Sequence, residues 1–305
     1  MPEHALVIGE ALVDVVRRPD GTHTAHAGGS PANVAFGLAR LGRSVELLTT
    51  LGDDAYGTLV RAHVESSGAI VAATIAAPRT SVATATLDGH GVATYDFDLE
   101  WALPDDSTTI PDPVVVHTGS IAAVLEPGAS AVERLVEAAK ERATITYDPN
   151  VRPTLMGDRG KAETTIERLV ALADVVKVSD EDLEWLFPTE DPTDAAQRWL
   201  ALGPALVVVT LGSDGALAVC AGGMVSVPRV VVEVADTVGA GDSFMSGLID
   251  GLWSAELLGG HRRDALRAID LPQVTQILQR CARIAGITVS RSGANPPTRT
   301  ELGES

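Results

Sequence analysis

Residues 236–247 read DTVGAGDSFMSG: Gly239, Ala240 and Gly241 stand immediately before Asp242, and a helix-like apolar periodicity begins there. Small residues let backbone N–H groups approach an anion closely. At a helix N-terminus those unpaired donors and the dipole favour a phosphate, or the charge that builds on one during transfer. A carboxylate in that place can accept the proton of an attacking hydroxyl, the one modest base that phosphoryl transfer needs. Taken alone, an Asp ahead of a helix is most simply an N-cap, so the surroundings decide.

Outward from this stretch, the runs ALVIG, VELLTTLG, VVVHTG, TITYDP, VVKVS and ALVVVTLG alternate with helix-like segments. Continuous apolar strands separated by helices imply a parallel sheet covered on both faces. Residues 81–98 differ, because SVATATLD and VATYDFD alternate small or polar with apolar residues around Asp88, Gly89, His90 and Gly91. Residues 11–27 repeat the pattern around Pro19, Asp20 and Gly21. The two hairpins are expected to form a small separate sheet, a lid over segments of about 11–27 and 81–99, on a single domain spanning 1–305. Helices are expected near 240–257, 261–270 and 273–289, before a loosely held polar tail. No internal repeat is found.

Composition narrows the class. The 305 residues are rich in Ala, Val, Leu and Gly and poor in aromatics, a balance suited to small-residue contacts between helices and a parallel sheet. The formal net charge of −18 opposes attraction to nucleic acid or anionic lipid. Cys220 and Cys281 lie far apart with no CxxC spacing, so they are read as buried apolar side chains. The start lacks a basic stretch followed by a long apolar run, and no later run reaches the ~20 apolar residues of a membrane span. A cytoplasmic protein is expected.

A second turn-to-helix unit lies near the N-terminus, where Gly28 and Gly29 precede Ser30, Pro31, Ala32 and Asn33. Ser30 is placed to cap, Pro31 suits the first helical turn, and Gly42 can close the helix. The double glycine gives a ligand close backbone access, Asn33 offers both donor and acceptor, and Asp14 adds a negative acceptor, a set suited to vicinal sugar hydroxyls. Singly, each fits a structural role as loop, helix surface or strand end; their clustering favours a site.

Six stretches, GEALVD, AGGSPANVAFGLARLG, YDPNVRP, VVVTLGSDGA, DTVGAGDSFMSG and SRSGANPPT, together resemble the ribokinase-like (PfkB) carbohydrate kinases, in that family's order and over essentially the whole chain. GEALVD and YDPNVRP are most similar to the fructokinase branch. The resemblance implies a three-layer α/β/α fold with a central mostly parallel sheet and a small β-sheet lid. It also implies ATP-dependent phosphorylation of a sugar hydroxyl, foremost fructose to fructose 6-phosphate. By resemblance, Asp242 is the base, with Gly239, Ala240 and Gly241 as the anion hole. Asp14, Gly28, Gly29 and Asn33 meet sugar hydroxyls, and Arg152 turns its forked cation toward sugar or phosphate. Lys177, Thr210, Gly212 and Gly215 match nucleotide-side positions. Asp236, Val238, Thr288, Arg291 and Gly293 fall where many members bind a monovalent cation, potassium being the candidate.

The chain departs from the family in places. The Asn-x-x-Glu element that organises magnesium reads Ser179, Asp180, Glu181, Asp182. Asp182 is one methylene short, so either it or Glu181 is the candidate. Met156 stands where fructokinases often carry a tryptophan. Glu126 aligns with a substrate-side position in some members, yet Glu126-Pro127 also reads as a helix start.

Competing readings are a family kinase acting on 2-keto-3-deoxygluconate, ribose or a nucleoside, or a catalytically silent sugar-binding regulator. A keto acid calls for cations beyond Arg152, and silence calls for loss of the base, which Asp242 retains. A dehydrogenase is excluded by the absence of a GxGxxG turn after the first strand. His23 and His26 lack a third ligand for a transition metal. A free lid edge suits strand pairing between subunits, so a homodimer is expected.

Overall fold

The computed structural model describes residues 3–89, 93–103 and 112–304, so His90 and Gly91 of the second hairpin turn lie outside the described residues. The chain runs β1 (Ala5–Ile8), β2 (Leu12–Arg17), β3 (His23–Gly28), α1 (Ser30–Arg40), β4 (Val45–Gly52), α2 (Ala55–Ser66), β5 (Ile70–Ala77), β6 (Ser81–Leu87), β7 (Ala93–Asp98) and β8 (Val115–Gly119). It continues through α3 (Gly128–Ala139), β9 (Thr144–Asp148), α4 (Pro153–Met156), α5 (Arg159–Leu172), β10 (Val175–Ser179), α6 (Asp180–Leu186), α7 (Pro192–Leu200) and β11 (Leu206–Thr210). Last come β12 (Ala216–Cys220), β13 (Gly223–Val227), α8 (Ala240–Ser254), α9 (Arg263–Arg267) and α10 (Leu271–Val289).

Nine strands form the main sheet in the order β13-β12-β11-β10-β9-β8-β1-β4-β5, parallel except where β12 and β13 join antiparallel. Each apolar run of the sequence is a strand here; β5, β12 and β13 are additional. Because side chains alternate, Ala5 and Val7 of β1 enter one core and Leu6 and Ile8 the other. The first core holds Val34 and Leu38 of α1, Leu248 and Leu252 of α8, and Leu278 of α10. The second holds Val132 of α3, Ile166 of α5, Leu183 of α6 and Trp199 of α7. The result is the three-layer α/β/α arrangement. Cys220 and Cys281 are buried and unbridged.

The small sheet has the order β3-β2-β6-β7, with antiparallel hairpins at its sides and a parallel β2–β6 pair in its middle. Its two faces do different work. Val13 and Val15 join the first core, with Ala25, Ala27 and Val82 packed against it, and β2 and β3 dock on α2. The opposite face carries Asp14, His26, Ala83 and Phe97.

Helix α8 is positioned from several sides. Its small residues admit close neighbours: a Cβ on Gly37 of α1 would stand 2.5 Å from Ser246 Oγ, and one on Gly247 would stand 2.9 Å from Ile284 of α10. Further along, the fully buried Asp250 meets Arg43 at 2.5 Å, Arg280 at 2.7 Å and Arg299 at 2.8 Å. These contacts overturn the expected loose tail. Arg299 and Glu304 of the tail pair with Asp250 and Arg280, Glu301 pairs with Arg40 and Arg291, and Leu302 is buried. No helix among the described residues is long and apolar enough to cross a membrane.

Candidate active site

Strands β4 and β8 flank β1 on opposite sides, and a parallel sheet opens a crevice at the carboxyl ends of its strands where the strand order reverses. Here Glu10, Ser120, Asn150, Ser179 and Thr210, at or just past the ends of β1, β8, β9, β10 and β11, line a cleft of about 1420 Å³. The lid face bearing Asp14, His26, Ala83 and Phe97 forms its other wall.

Asp242 lies in the first turn of α8 and is 8 % exposed. It is not the N-cap: that place belongs to Gly239, in the left-handed conformation (φ 75°), where a Cβ would stand 2.5 Å from the Ala294 Cβ. One Asp242 oxygen accepts the Ser30 hydroxyl at 2.6 Å, and the other accepts the Asn33 amide at 2.8 Å. Ser30 therefore does not cap α1, because its hydroxyl is spent on Asp242 and the cap is Gly29. Gly42 does close α1, at φ 80°. Ala240 N–H donates to Thr237 and Ser243 N–H to Gly239, while those of Gly241 and Asp242 make no hydrogen bond among the described residues. Helices α1 and α8 thus begin side by side at the cleft, with two free donors next to a held carboxylate.

At the lid end, a Cβ on Gly28 would stand 2.1 Å from Asp14 Oδ2, and one on Gly29 (φ 99°) 2.5 Å from the Glu10 carbonyl. Only glycine lets the strands that enter and leave the lid touch here. Burial raises the Asp14 pKa, Arg152 and His26 hold it down, and Asp242 raises it again. Arg152 lines the cleft but folds its guanidinium back onto the Asn150 side chain and carbonyl and the Val151 carbonyl. Glu126 is not brought to the cleft. Its carboxylate accepts the Ser130 hydroxyl and N–H at the start of α3, the helix-start role.

At the far end, Thr210, Gly212 and Gly215 line the cleft beside Asp180, Glu181 and the chain from Arg229 to Val238. Asp182 is withdrawn from it: its oxygens accept the Val151 and Ser179 N–H groups, tying β9's exit loop to α6. Glu181 faces the cleft instead. Asp236 accepts N–H bonds from Val238 at 3.0 Å and Gly293 at 2.9 Å, which gathers those three residues. Thr288 and Arg291 do not line the cleft; the Thr288 hydroxyl bonds Ile284 within α10, and Arg291 pairs with Glu301. Lys177 lies under α8, 3.0 Å from Asp148.

The sequence reading passes over three residues. Glu10, 5 % exposed, accepts the Ala122 N–H at 3.1 Å, and burial pushes its pKa up to about 7 against bonds from its own backbone, Ser120 and Ala122 and the charge of Arg152. Asp148, fully buried, is pushed to about 6, foremost by burial, with Lys177 opposing. Asn150 holds φ 39° at the turn toward Arg152. The signal was present, since GEALVD and YDPNVRP each put an acid where a strand ends.

Residues 2–301 match the pfkB family of carbohydrate kinases. The chain is 34 % identical over 255 residues to a fructokinase of Klebsiella pneumoniae, covering 81 % of this chain and 83 % of that one. Among solved structures it is similar to the fructokinase of Xylella fastidiosa with bound ATP, with a TM-score of 0.87 and 25 % identity over 99 % of this chain and 97 % of the other. It is also similar to a double mutant of the Vibrio cholerae O395 fructokinase in a form with fructose, ADP and potassium ion bound, with a TM-score of 0.83 and 25 % identity over 99 % and 97 % of the two chains.

Proposed function

The chain belongs to the pfkB family of carbohydrate kinases, and we propose from that premise that it is a fructokinase making fructose 6-phosphate. It is an ATP-dependent phosphotransferase acting on a sugar hydroxyl. The observation that carries the finer reading is the Asp242 carboxylate, held by Ser30 and Asn33 beside the free N–H groups of α8.

The sugar lies beneath the lid against Asp14, Gly28, Gly29 and Asn33, with its 6-hydroxyl at Asp242. ATP enters along Thr210, Gly212 and Gly215. Asp242 takes the hydroxyl proton as the oxygen attacks the γ-phosphorus, and the small residues Gly239, Ala240 and Gly241 leave room for the free N–H groups of Gly241 and Asp242 to meet the charge that develops. Arg152 unfolds from its own loop to meet sugar or phosphate. Glu10, Asp14 and Asp242 make this end of the cleft acidic, which disfavours an anionic substrate and supports a neutral sugar. The lid brings hydroxyl and phosphate into line and excludes water.

Magnesium, which would offset the charge of the ATP phosphates, would be held through Glu181, because both Asp182 oxygens are occupied by backbone donors. Asp236, with the backbone at Val238 and Gly293, is the candidate potassium position. A cytoplasmic homodimer joined through a lid edge completes the reading, checked by solution mass.

The test is coupled ADP release with MgATP across fructose, ribose, 2-keto-3-deoxygluconate and adenosine, with Asp242→Asn in parallel. Fastest turnover on fructose, lost in the variant, is expected. Preference for another acceptor overturns the choice of sugar, and turnover that survives Asp242→Asn overturns the base.

A further inference from the structure

Strand β10 is apolar up to its last residue, Ser179, except at its centre, where Lys177 stands between Val176 and Val178 in the middle of a parallel sheet. Val176 and Val178 enter the α5–α7 core, so alternation turns Lys177 toward α8. Its side chain is buried, at 3 % exposure, and the ammonium lies 2.9 Å from where a Cβ on Gly241 would stand. Asp148 receives it through Oδ2 at 3.0 Å, while Asp148 Oδ1 is buried with no hydrogen-bond partner among the described residues. Burial works against the charge on Lys177, but the carboxylates of Asp148, Asp182 and Asp242 overcome it and raise its pKa, so the ammonium stays protonated.

For stability alone this pair is a poor choice. Desolvating two charges costs about as much as their attraction returns, and an apolar pair of similar volume fills such a space equally well. Its location points to chemistry. An ammonium has three donors, and the one bonded to Asp148 leaves two beside the N-terminus of α8, where Gly241 and Asp242 N–H groups make no bond among the described residues. A cation buried there adds full charge to partial charges already aimed at the cleft, where low dielectric strengthens its field.

We propose that Lys177 completes the anion hole as a catalytic cation, and that Asp148 is the positioning residue that aims it. This rests on the phosphotransferase reading and replaces a purely nucleotide-side role for Lys177. In the step, the sugar oxygen bonds to the γ-phosphorus and its proton passes to Asp242. The bond from that phosphorus to the β–γ bridging oxygen breaks, leaving its electron pair on ADP. Lys177 keeps its protons throughout and lends charge and donors to the oxygens of the moving phosphoryl group.

Two variants, each shown folded by thermal melting, test the cation: the double variant Lys177→Met, Asp148→Asn, which leaves no uncompensated charge, and Lys177→Arg, which keeps the charge on a longer planar head. Expected in both is a fall in kcat of about 30-fold or more, with KM for ATP and sugar moving less than about threefold. Affinity for ADP, fluoroaluminate and sugar together should fall in parallel, while affinity for a non-hydrolysable ATP analogue holds. A folded variant whose kcat stays within threefold of wild type overturns the proposal. For Asp148, the Asn variant, or Glu where Asn does not fold, should lose about tenfold in kcat at near-constant KM; unchanged kcat removes its positioning role. Wild-type protein that phosphorylates no sugar overturns the underlying reading as well, which separates the two failures.

Discussion

Ser30 and Asp242 lie 212 residues apart in the chain, and the hydroxyl of one donates to the carboxylate of the other at 2.6 Å. With Asn33 on the second oxygen, the carboxylate is fixed in rotation at the mouth of α8. A base held in one orientation loses no time or entropy finding it, and near-attack geometry is where much of the rate of such a transfer originates.

Removing that restraint should therefore cost rate before it costs binding. Ser30→Ala gives up one bond to a charged group, of about 1.5–3 kcal/mol, and kcat should fall about tenfold while sugar KM changes little. Asp242→Asn should fall further, by about 100-fold or more, with sugar binding retained by calorimetry. A Ser30→Ala enzyme with full kcat would show that the hydroxyl is only packing.

The distance between α1 and α8 should be felt at the site. Gly37→Ala places a methyl 2.5 Å from Ser246 Oγ and 2.9 Å from its Cβ, so the helices must separate. A stability loss of about 1–3 kcal/mol by urea unfolding is expected, together with lower kcat as Ser30 moves from Asp242. Adding Ser246→Gly should recover much of the kcat; a double variant as slow as the single one contradicts this account.

Glu10 should make stability depend on pH. Its folded pKa of about 7 lies above the ordinary 4.5, because burial disfavours the ionised form. As pH rises from about 4.5 to about 7 the unfolded chain releases this proton first, so the folded state loses stability across that window and the penalty is complete above it. At about 1.4 kcal/mol per unit the full effect is about 3 kcal/mol. Glu10→Gln should consequently be more stable relative to wild type at pH 8 than at pH 4.5, measured by urea unfolding. Equal differences at both pH values would refute it.

Asp250 should be a strong point of the fold. It is fully buried and receives Arg43, Arg280 and Arg299. Asp250→Ala leaves three guanidinium groups facing one another and should cost about 3–5 kcal/mol. A loss below about 1 kcal/mol would mean that water or a neighbouring carboxylate takes over.

The sequence by itself determined the layers. Apolar runs such as VVKVS and ALVVVTLG have the length and β-branched content of central parallel strands, and strand alternation then decides which residues enter which core. It also marked residues 236–247, although only together with the glycine pair at 28–29 and the other five stretches, since an acid at a helix start is by itself most simply a cap. Only tertiary structure decided which side chains meet. Hydrogen bonds of 2.6–3.0 Å join Asp242 to Ser30 and Asn33, and Lys177 to Asp148, yet no local pattern encodes partners so distant in the chain. The same cause leaves three residues misplaced or open in a purely linear reading. Ser30 looks like a cap but serves Asp242; Glu126, which reads as either substrate-facing or a helix start, holds the start of α3; and Asp182, one of two candidate metal ligands with Glu181, is occupied by backbone donors. A side chain's role follows from the nearest unsatisfied polar group in space, and the packing of α1, α8 and the strand ends sets which group that is.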